Sequence, residues 1–459
     1  MSENSAVFDK NVREIAFNAE HLHKMESRYV FFRKTAENFA NHYSDFELEK
    51  SRAYNIRNKV FRNYDKLLVD FETNVTHNGG IVRWARNADE AKQMIYDIIS
   101  EEKAKNVIKS KSVVAEEINL LSFLEMKKVR VTETDTGDFI CQLFNERPYD
   151  SVHSASNKTL EEIADVYSEK FGVERNLSPK KLMTVTNKVL KARYANAELS
   201  ITGADFLVAE TGDIVFRDDE GNVLKSTAIA DVHVVLAGID RLVASFDDLN
   251  VLLPLSSIYK VTKVKSSAFY TFINKPAGNE QRRQKLYVVL IDNGRSDVLA
   301  KEEQRKVFTC IDCGACHAVC PVFNTIGGHV YDNPNPGPVG NVLTPIMKGF
   351  ESDAHLATLC TSCHLCEHYC PMNIKLSELI LNNRIDIARK DRSLLGEKNL
   401  ISFLLKRVEN RKALDKSKDF LNYFELKQLL KKSWGIHREI PEFDKQSFSQ
   451  LWKETNNII

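Results

Sequence analysis

Two cysteine runs constrain this chain more than any other feature. They are Cys310-Ile-Asp-Cys313-Gly-Ala-Cys316-His-Ala-Val-Cys320-Pro321 and Cys360-Thr-Ser-Cys363-His-Leu-Cys366-Glu-His-Tyr-Cys370-Pro371. Both read C-x2-C-x2-C-x3-C-P, the run that holds [4Fe–4S] clusters in bacterial-type ferredoxins. Cysteines at steps of three wrap the backbone around one corner of a cube, so each thiolate reaches a different iron. The fourth cysteine ligates the other cluster. The pattern therefore predicts two crossed sets: Cys310, Cys313 and Cys316 with Cys370, and Cys360, Cys363 and Cys366 with Cys320. The proline after each fourth cysteine fixes φ where the loop leaves the site.

Zinc and disulfides are the competing readings. A structural zinc site is built from two C-x2-C pairs and would leave the third and fourth cysteines of each run without a role. Disulfide frameworks belong to small secreted chains. This chain has 459 residues, and its start, MSENSAVFDKNVREIAF, has neither the apolar core nor the cleavage site of a secretory signal. Eight of its nine cysteines lie in the runs. Thiolates that hold iron must stay reduced, which points to the cytoplasm. No window approaches 18 consecutive apolar residues, so no helix is expected to span a membrane, although peripheral docking is compatible with the sequence. A formal net charge of +1 gives no overall field for nucleic acid or acidic lipid.

The length implies two or three domains. Residues 8–77 read as helix with few breakers. Tyr29, Phe31, Phe32, Phe39, Tyr43 and Phe46 form an aromatic stripe that suits packing on the body of the protein, or else a partner or membrane surface. Asn78-Gly79-Gly80 stops the helix, and strands then alternate with helices. Strands are expected at 81–84, 106–109, 129–133, 139–144, 206–209, 213–217, 232–237 and 285–291. Helices are expected from Asn87 to Ile99, over 113–120 behind the cap Ser112, and over 158–171, 179–195 and 247–259. The stretch from Asp218 to Asn222 has the composition of a hairpin turn. Cys141, in the expected strand 139–144, reads as a buried small hydrophobe. This alternation predicts an α/β domain with a mainly parallel sheet at 65–295, preceded by N-terminal helices at 1–64.

Ligands of open α/β sheets bind beyond the carboxyl ends of the strands. Lys109 and Lys111, beside a helix start, are candidates for holding a phosphate or carboxylate; turn chemistry alone also accounts for the polar residues there. There is no GxGxxG or P-loop. No nucleophile or general-base array stands out, so no catalytic residue is assigned. After a polar linker comes the cluster region, expected as a helical domain at 302–390. Between its two runs, the proline- and glycine-rich stretch from Gly327 to Gly340 reads as non-helical. His317, His364 and His368 sit inside the runs, where cysteine already completes both sites. They read as neighbours of the ligands, or as solvent-facing, and could tune cluster potential through hydrogen bonds to sulfur. A helical tail follows at 391–459. From Arg389 to Trp434 it carries 13 Lys and Arg against 6 Asp and Glu, either a solvated face or a contact for an acidic partner.

The chain resembles the iron–sulfur B proteins of bacterial lactate-utilisation systems. The resemblance rests on Asn78-Gly-Gly-Ile-Val-Arg-Trp-Ala85, Lys109-Ser-Lys-Ser-Val-Val-Ala-Glu-Glu117, Glu133-Thr-Asp-Thr-Gly-Asp138 and Ile201-Thr-Gly-Ala-Asp-Phe-Leu-Val-Ala-Glu-Thr-Gly212. It continues through Gly327-Gly-His329, Pro336-Gly-Pro-Val-Gly340 and Val342-Leu-Thr-Pro345. Cys360 is present here, although some relatives lack it. The resemblance implies a sugar-phosphate-isomerase-like lactate-utilisation domain followed by a two-cluster ferredoxin-like domain. It implies two [4Fe–4S] clusters and work with subunits A and C in oxidising L-lactate to pyruvate, this chain carrying the electrons. No flavin or nicotinamide fingerprint is present, which places the hydride or proton chemistry in a partner or at a shared interface. Two alternatives stay open: a redox-responsive module that binds a small carboxylate or phosphate, or the same relay serving another 2-hydroxy acid.

Overall fold

The computed structural model describes residues 3–41, 43–256, 269–278, 284–390 and 448–456, with isolated positions 402, 406 and 409. Met1–Ile385 form one compact unit and Asp386–Ile459 a second. In the second unit the described residues include the end of the helix Leu376–Lys390 and the helix Phe448–Asn456. Most of the basic tail expected from Arg389 to Trp434, and the end of the helix expected to reach Tyr259, lie outside the described residues.

Among the described residues of the first unit there are ten strands: β1 (Ile81–Ala85), β2 (Asn106–Lys109), β3 (Arg130–Glu133), β4 (Leu199–Thr202), β5 (Phe206–Val208), β6 (Ile214–Arg217), β7 (Val232–Gly238), β8 (Leu242–Val243), β9 (Tyr270–Ile273) and β10 (Lys285–Ile291). Six of them form one sheet in the order β1-β10-β7-β4-β2-β3, and every pair in it is parallel. Its strands are apolar on both faces because both faces are covered. On β10, Tyr287, Val289 and Ile291 point into one core together with Ile95, Leu120 and Leu124. Leu286, Val288 and Leu290 point into the opposite core with Phe71 and Val75 of the N-terminal helices. That two-residue alternation is what a strand imposes on its side chains. A smaller mixed sheet, β8-β5-β6-β9, lies in the same unit.

Two readings of the sequence need correction. Residues expected as the strand 139–144 belong to the helix Thr136–Phe144, capped by Asp135, whose carboxylate accepts from the backbone N–H groups of Gly137 and Asp138. A short apolar run does not separate a strand from a buried helix by periodicity, and the cap at Asp135 decides for the helix. The stretch from Asp218 to Asn222 is a turn, as expected, but it does not join two strands of a hairpin: it leads into the helix Asn222–Ile229, with the Asp218 carboxylate accepting from the N–H groups of Val223 and Leu224. β4, which the sequence reading passed over, is fully buried in the middle of the sheet.

The N-terminal stretch is four helices, Glu3–Ile15, Ala19–Ala40, Phe46–Val60 and Tyr64–His77. Its aromatic stripe largely packs inward: Phe32 is buried, and Phe39, Tyr43 and Phe46 lie against the core that also holds Cys313, Cys316, Cys366 and Cys370. Phe31 stays exposed. These helices tie the cluster loops to the sheet. The Arg57 guanidinium donates to the carbonyls of Asp240 (2.8 Å) and Phe308 (2.6 Å), and also to that of Leu242. Buried Lys50 donates to the His368 carbonyl at 3.3 Å. Within the stretch read as non-helical, Pro338 begins the helix Pro338–Met347. Proline suits the first helical position, where its missing N–H costs no hydrogen bond.

Candidate functional site

The two runs fold alike. Each cluster loop passes through the left-handed region twice, at Asp312 and Gly314 in the first and at Ser362 and His364 in the second. In each, the N–H two residues beyond the first cysteine turns back onto its sulfur: Asp312 N donates to Cys310 Sγ at 3.4 Å, and Ser362 N to Cys360 Sγ at 3.3 Å. Ile374 N does the same for Cys370 Sγ at 3.4 Å. A short helix then carries the third cysteine, Ala315–Val319 in the first run and Leu365–His368 in the second.

The chain brings the runs together across their 40-residue separation. Burial pushes Cys310, Cys313, Cys316, Cys320, Cys366 and Cys370 up, and neighbouring thiols add to this at Cys310, Cys313, Cys316, Cys320 and Cys366. Cys370 acts on Cys310, Cys313 and Cys316, and Cys366 also acts on Cys316. Cys320 acts on Cys366, and Cys360 and Cys363 act on both. Cys313 reaches about 12 and Cys320 about 11. Such thiols stay protonated near neutrality unless a metal takes the place of the proton. Among the described residues no group of three His, Cys, Asp or Glu side chains is arranged to hold a single metal ion. Cys313, Cys316, Cys320, Cys366 and Cys370 are buried, Cys310 and Cys360 half-buried, and Cys363 exposed. The thiols expected as the first set are thus the more deeply placed, and those expected as the second include the exposed Cys363.

The three histidines separate. His317 is buried, stacked on Phe323 at 5.5 Å, and its pKa is pulled down to about 4 by burial, so it is neutral near pH 7. His364 is mostly exposed, with Nδ1 3.0 Å from Ser377 Oγ. His368 is exposed and lies edge-on to Tyr369. Cys141 stands apart from both sets, donating to the Ser154 carbonyl at 3.2 Å, with burial pushing its thiol up to about 12.

The carboxyl ends of the parallel strands face the first cluster loop, through residues that the sequence reading missed. Arg241, just after β7, has Nη1 2.6 Å from Asp312 Oδ2. Arg295, just after β10, pairs with Glu117 at 2.8 Å and with Asp240. A cavity of about 200 Å³ lies here, lined by Arg241, Asn293, Arg295, Cys310 and Asn333. A smaller one of about 70 Å³ lies over the ends of β2 and β4, lined by Ser110, Lys111, Gly203, Arg217, Arg241 and Asp312. The signal in the sequence was a charged residue within a few positions of an apolar strand's end, as in Gly238-Ile-Asp-Arg241 and Asp292-Asn-Gly-Arg295. The expected anion ligand Lys109 is not available: it is fully buried, 2.8 Å from Glu133 and 3.1 Å from Glu116. Burial pulls its pKa down, and these two carboxylates more than offset that. Lys111 does reach a cavity wall while donating to Ser154 Oγ at 2.6 Å and to the Val152 carbonyl at 3.1 Å.

A family model described as the LUD domain matches residues 68–291, and one described as a 4Fe-4S dicluster domain matches residues 306–374. An Escherichia coli relative described as an uncharacterized electron transport protein, YkgF, is 33% identical over 417 residues, covering 88% of this chain and 87% of that one. Lactate utilization protein B of Geobacillus sp. is 35% identical over 347 residues, covering 75% of this chain and 73% of its own. The chain belongs to the lactate utilization protein B family. Lactate utilization protein B of Bacillus subtilis is 33% identical over 363 residues, covering 78% of this chain and 75% of its own. A LUD domain of parallel α/β build is thus followed by a helical dicluster domain. The cofactors of the latter are two [4Fe–4S] clusters. The donor set fits them: eight cysteine thiols, several already accepting backbone N–H groups of the kind that tune cluster sulfurs. No helix among the described residues is long and apolar enough to cross a membrane.

Proposed function

We propose that this chain is the electron-carrying component of a multi-subunit system that oxidises L-lactate to pyruvate. Cys310, Cys313, Cys316 and Cys370 hold the inner cluster, and Cys320, Cys360, Cys363 and Cys366 the outer one, within the division at 65–295 and 302–390. What supports this reading is that the two runs lie side by side: the Cys370 thiol acts on Cys310, Cys313 and Cys316, and the Cys360 and Cys363 thiols act on Cys320, as the spacing of ferredoxin-type runs leads one to expect. The names of the relatives, lactate utilization and electron transport, support the direction of the reading. Each cluster, when bound, takes up and releases one electron at a time. The chain's residues do the rest. Backbone N–H groups at Asp312, Ser362 and Ile374 stabilise negative charge on the sulfurs. Phe308, Ile311 and Ile374 keep water from the inner set. Exposed Cys363 with His364 and His368 gives the outer set its contact with a partner.

In this reading the partners are lactate-utilisation subunits A and C, the setting is the cytoplasm, and the acceptor takes electrons from the outer cluster. Reconstitution tests it. Subunits A and C with L-lactate should reduce a dye acceptor only when this chain is present with its iron. Equal rates without the chain would remove it from the electron path.

A further inference from the structure

The chain's route through the large sheet marks one place where a ligand can enter. From β2 the chain moves outward to β3 at the edge, and then returns past β2 to β4, β7 and β10. The connections therefore diverge between β2 and β4, and in open parallel sheets the crevice beyond the carboxyl ends at such a point binds ligands. The cavity of about 70 Å³ lies there. It has room for roughly five to seven water-sized groups, given 10–15 Å³ for each, the scale of a three-carbon acid.

Its lining is charged, with the cations Lys111, Arg217 and Arg241 and the carboxylates Asp205 and Asp312. The cations also pair outside it, Lys111 with Asp138 at 3.7 Å, Arg217 with Asp219 at 3.6 Å and Arg241 with Asp240, so what the lining leaves open is a buried hydroxyl rather than a charge. Ser110 is 1% exposed, and its hydroxyl has no hydrogen-bond partner. Arg241 is 8% exposed, and its Nε makes no hydrogen bond although Asp240 lies 3.2 Å away. Buried polar groups without partners are uncommon in native proteins and ask for a reason. Val113, Val114, Phe216 and Val223 supply the apolar part of the lining. In the larger neighbouring cavity Arg295 pairs with Glu117 and Asp240, Asn293 accepts from the Ala88 N–H and donates to Glu117, and Arg241 and the unpartnered side-chain oxygen of Asn333 also lie in its wall; it lies off the point where the strand connections diverge.

We propose that the cavity between the ends of β2 and β4 binds a short-chain 2-hydroxy or 2-oxo carboxylate. The carboxylate lies toward Lys111 and Arg241, the 2-oxygen meets Ser110 Oγ, and the short alkyl group packs on Val113, Val114 and Phe216. Asp312 is shared by this cavity and the Cys310 loop, so the bound acid sits one residue from the inner set of thiols. The proposal rests on the lactate reading above and adds that the acid is held by this chain.

The test is titration calorimetry on the anaerobic, cluster-loaded full chain with L-lactate, pyruvate and inorganic phosphate. Saturable binding of L-lactate or pyruvate is expected, weakened about tenfold in Ser110→Ala, the scale of one lost hydrogen bond, with iron content unchanged. Lys111→Gln, checked for iron content and thermal unfolding, should weaken it further. Absence of binding to the natural chain, or unchanged binding in Ser110→Ala, overturns the site. Phosphate binding with equal affinity and displacing the acid overturns the ligand class. If the chain binds no acid, yet lactate reduces the clusters when subunits A and C are present, the site falls and the electron-carrier reading stands. If acid binds but the clusters are never reduced, the site stands and that reading falls.

Discussion

Arg241 and Asp312 join the large sheet to the inner cluster loop. Arg241 Nη1 lies 2.6 Å from Asp312 Oδ2, and the Asp312 backbone N–H donates to Cys310 Sγ at 3.4 Å. The corresponding residue in the second run is Ser362, which is uncharged. A guanidinium near a cluster favours the reduced, more negative state. Arg241→Gln removes that charge and leaves Asp312 uncompensated. The inner cluster's potential should fall by about 1 kcal/mol, roughly 45 mV for one electron, while the outer one stays within a few millivolts. An EPR-monitored redox titration resolves the two.

The crossed assignment makes a prediction that uncrossed runs do not. Cys370→Ser lies in the second run but should cost the inner cluster, halving iron from about eight to about four per chain. Cys320→Ser lies in the first run and should cost the outer one. Under uncrossed ligation each variant would lose the cluster of its own run, and EPR would report the opposite survivor.

Gly340 shows why a motif residue is what it is. A Cβ there would overlap the Asn335 carbonyl oxygen, so the helix Pro338–Met347 can lie against that loop only without a side chain. Gly340→Ala should destabilise the first unit by about 1–3 kcal/mol. Denaturant unfolding measures this, and an unchanged midpoint would contradict it.

The fully buried Asp150 ties a helix to the sheet domain through Arg28, 2.6 Å away. Burial alone would raise its carboxyl, but the Arg28 guanidinium and the backbone N–H of His153 hold it well below the usual carboxylate range. A depressed folded pKa stabilises the protein above the unfolded value, about 3.9, and that stabilisation is lost as pH falls through the folded value. Asp150→Asn should therefore cost stability at pH 7, about 3 kcal/mol for a broken buried pair, and progressively less below pH 4. A penalty independent of pH would contradict this assignment.

Much of the sheet was legible because buried parallel strands leave continuous apolar runs: 106–109 and 285–291 match β2 and β10 to the residue. The helix Thr136–Phe144 and the helix start at Asn222 were misread because short apolar or polar stretches carry no period, and the deciding contacts are carboxylate caps. In the cluster region the spacing of the cysteines marked out the candidate ligands directly. Arg57, Arg241, Arg295 and Ser110 were not legible as partners of the site, since nothing local shows that the ends of β2, β4, β7 and β10 meet the loop at Cys310. Only the strand order does that.

The central claim, that electrons from L-lactate pass through this chain, is tested most directly by EPR. Anaerobically purified chain would be mixed with subunits A and C, and spectra frozen before and after adding L-lactate. Signals of reduced [4Fe–4S] clusters that appear only on lactate addition, and vanish in Cys313→Ser for the inner cluster, are the predicted result. Clusters that dithionite reduces, but that lactate leaves oxidised with both partners present, would contradict the account.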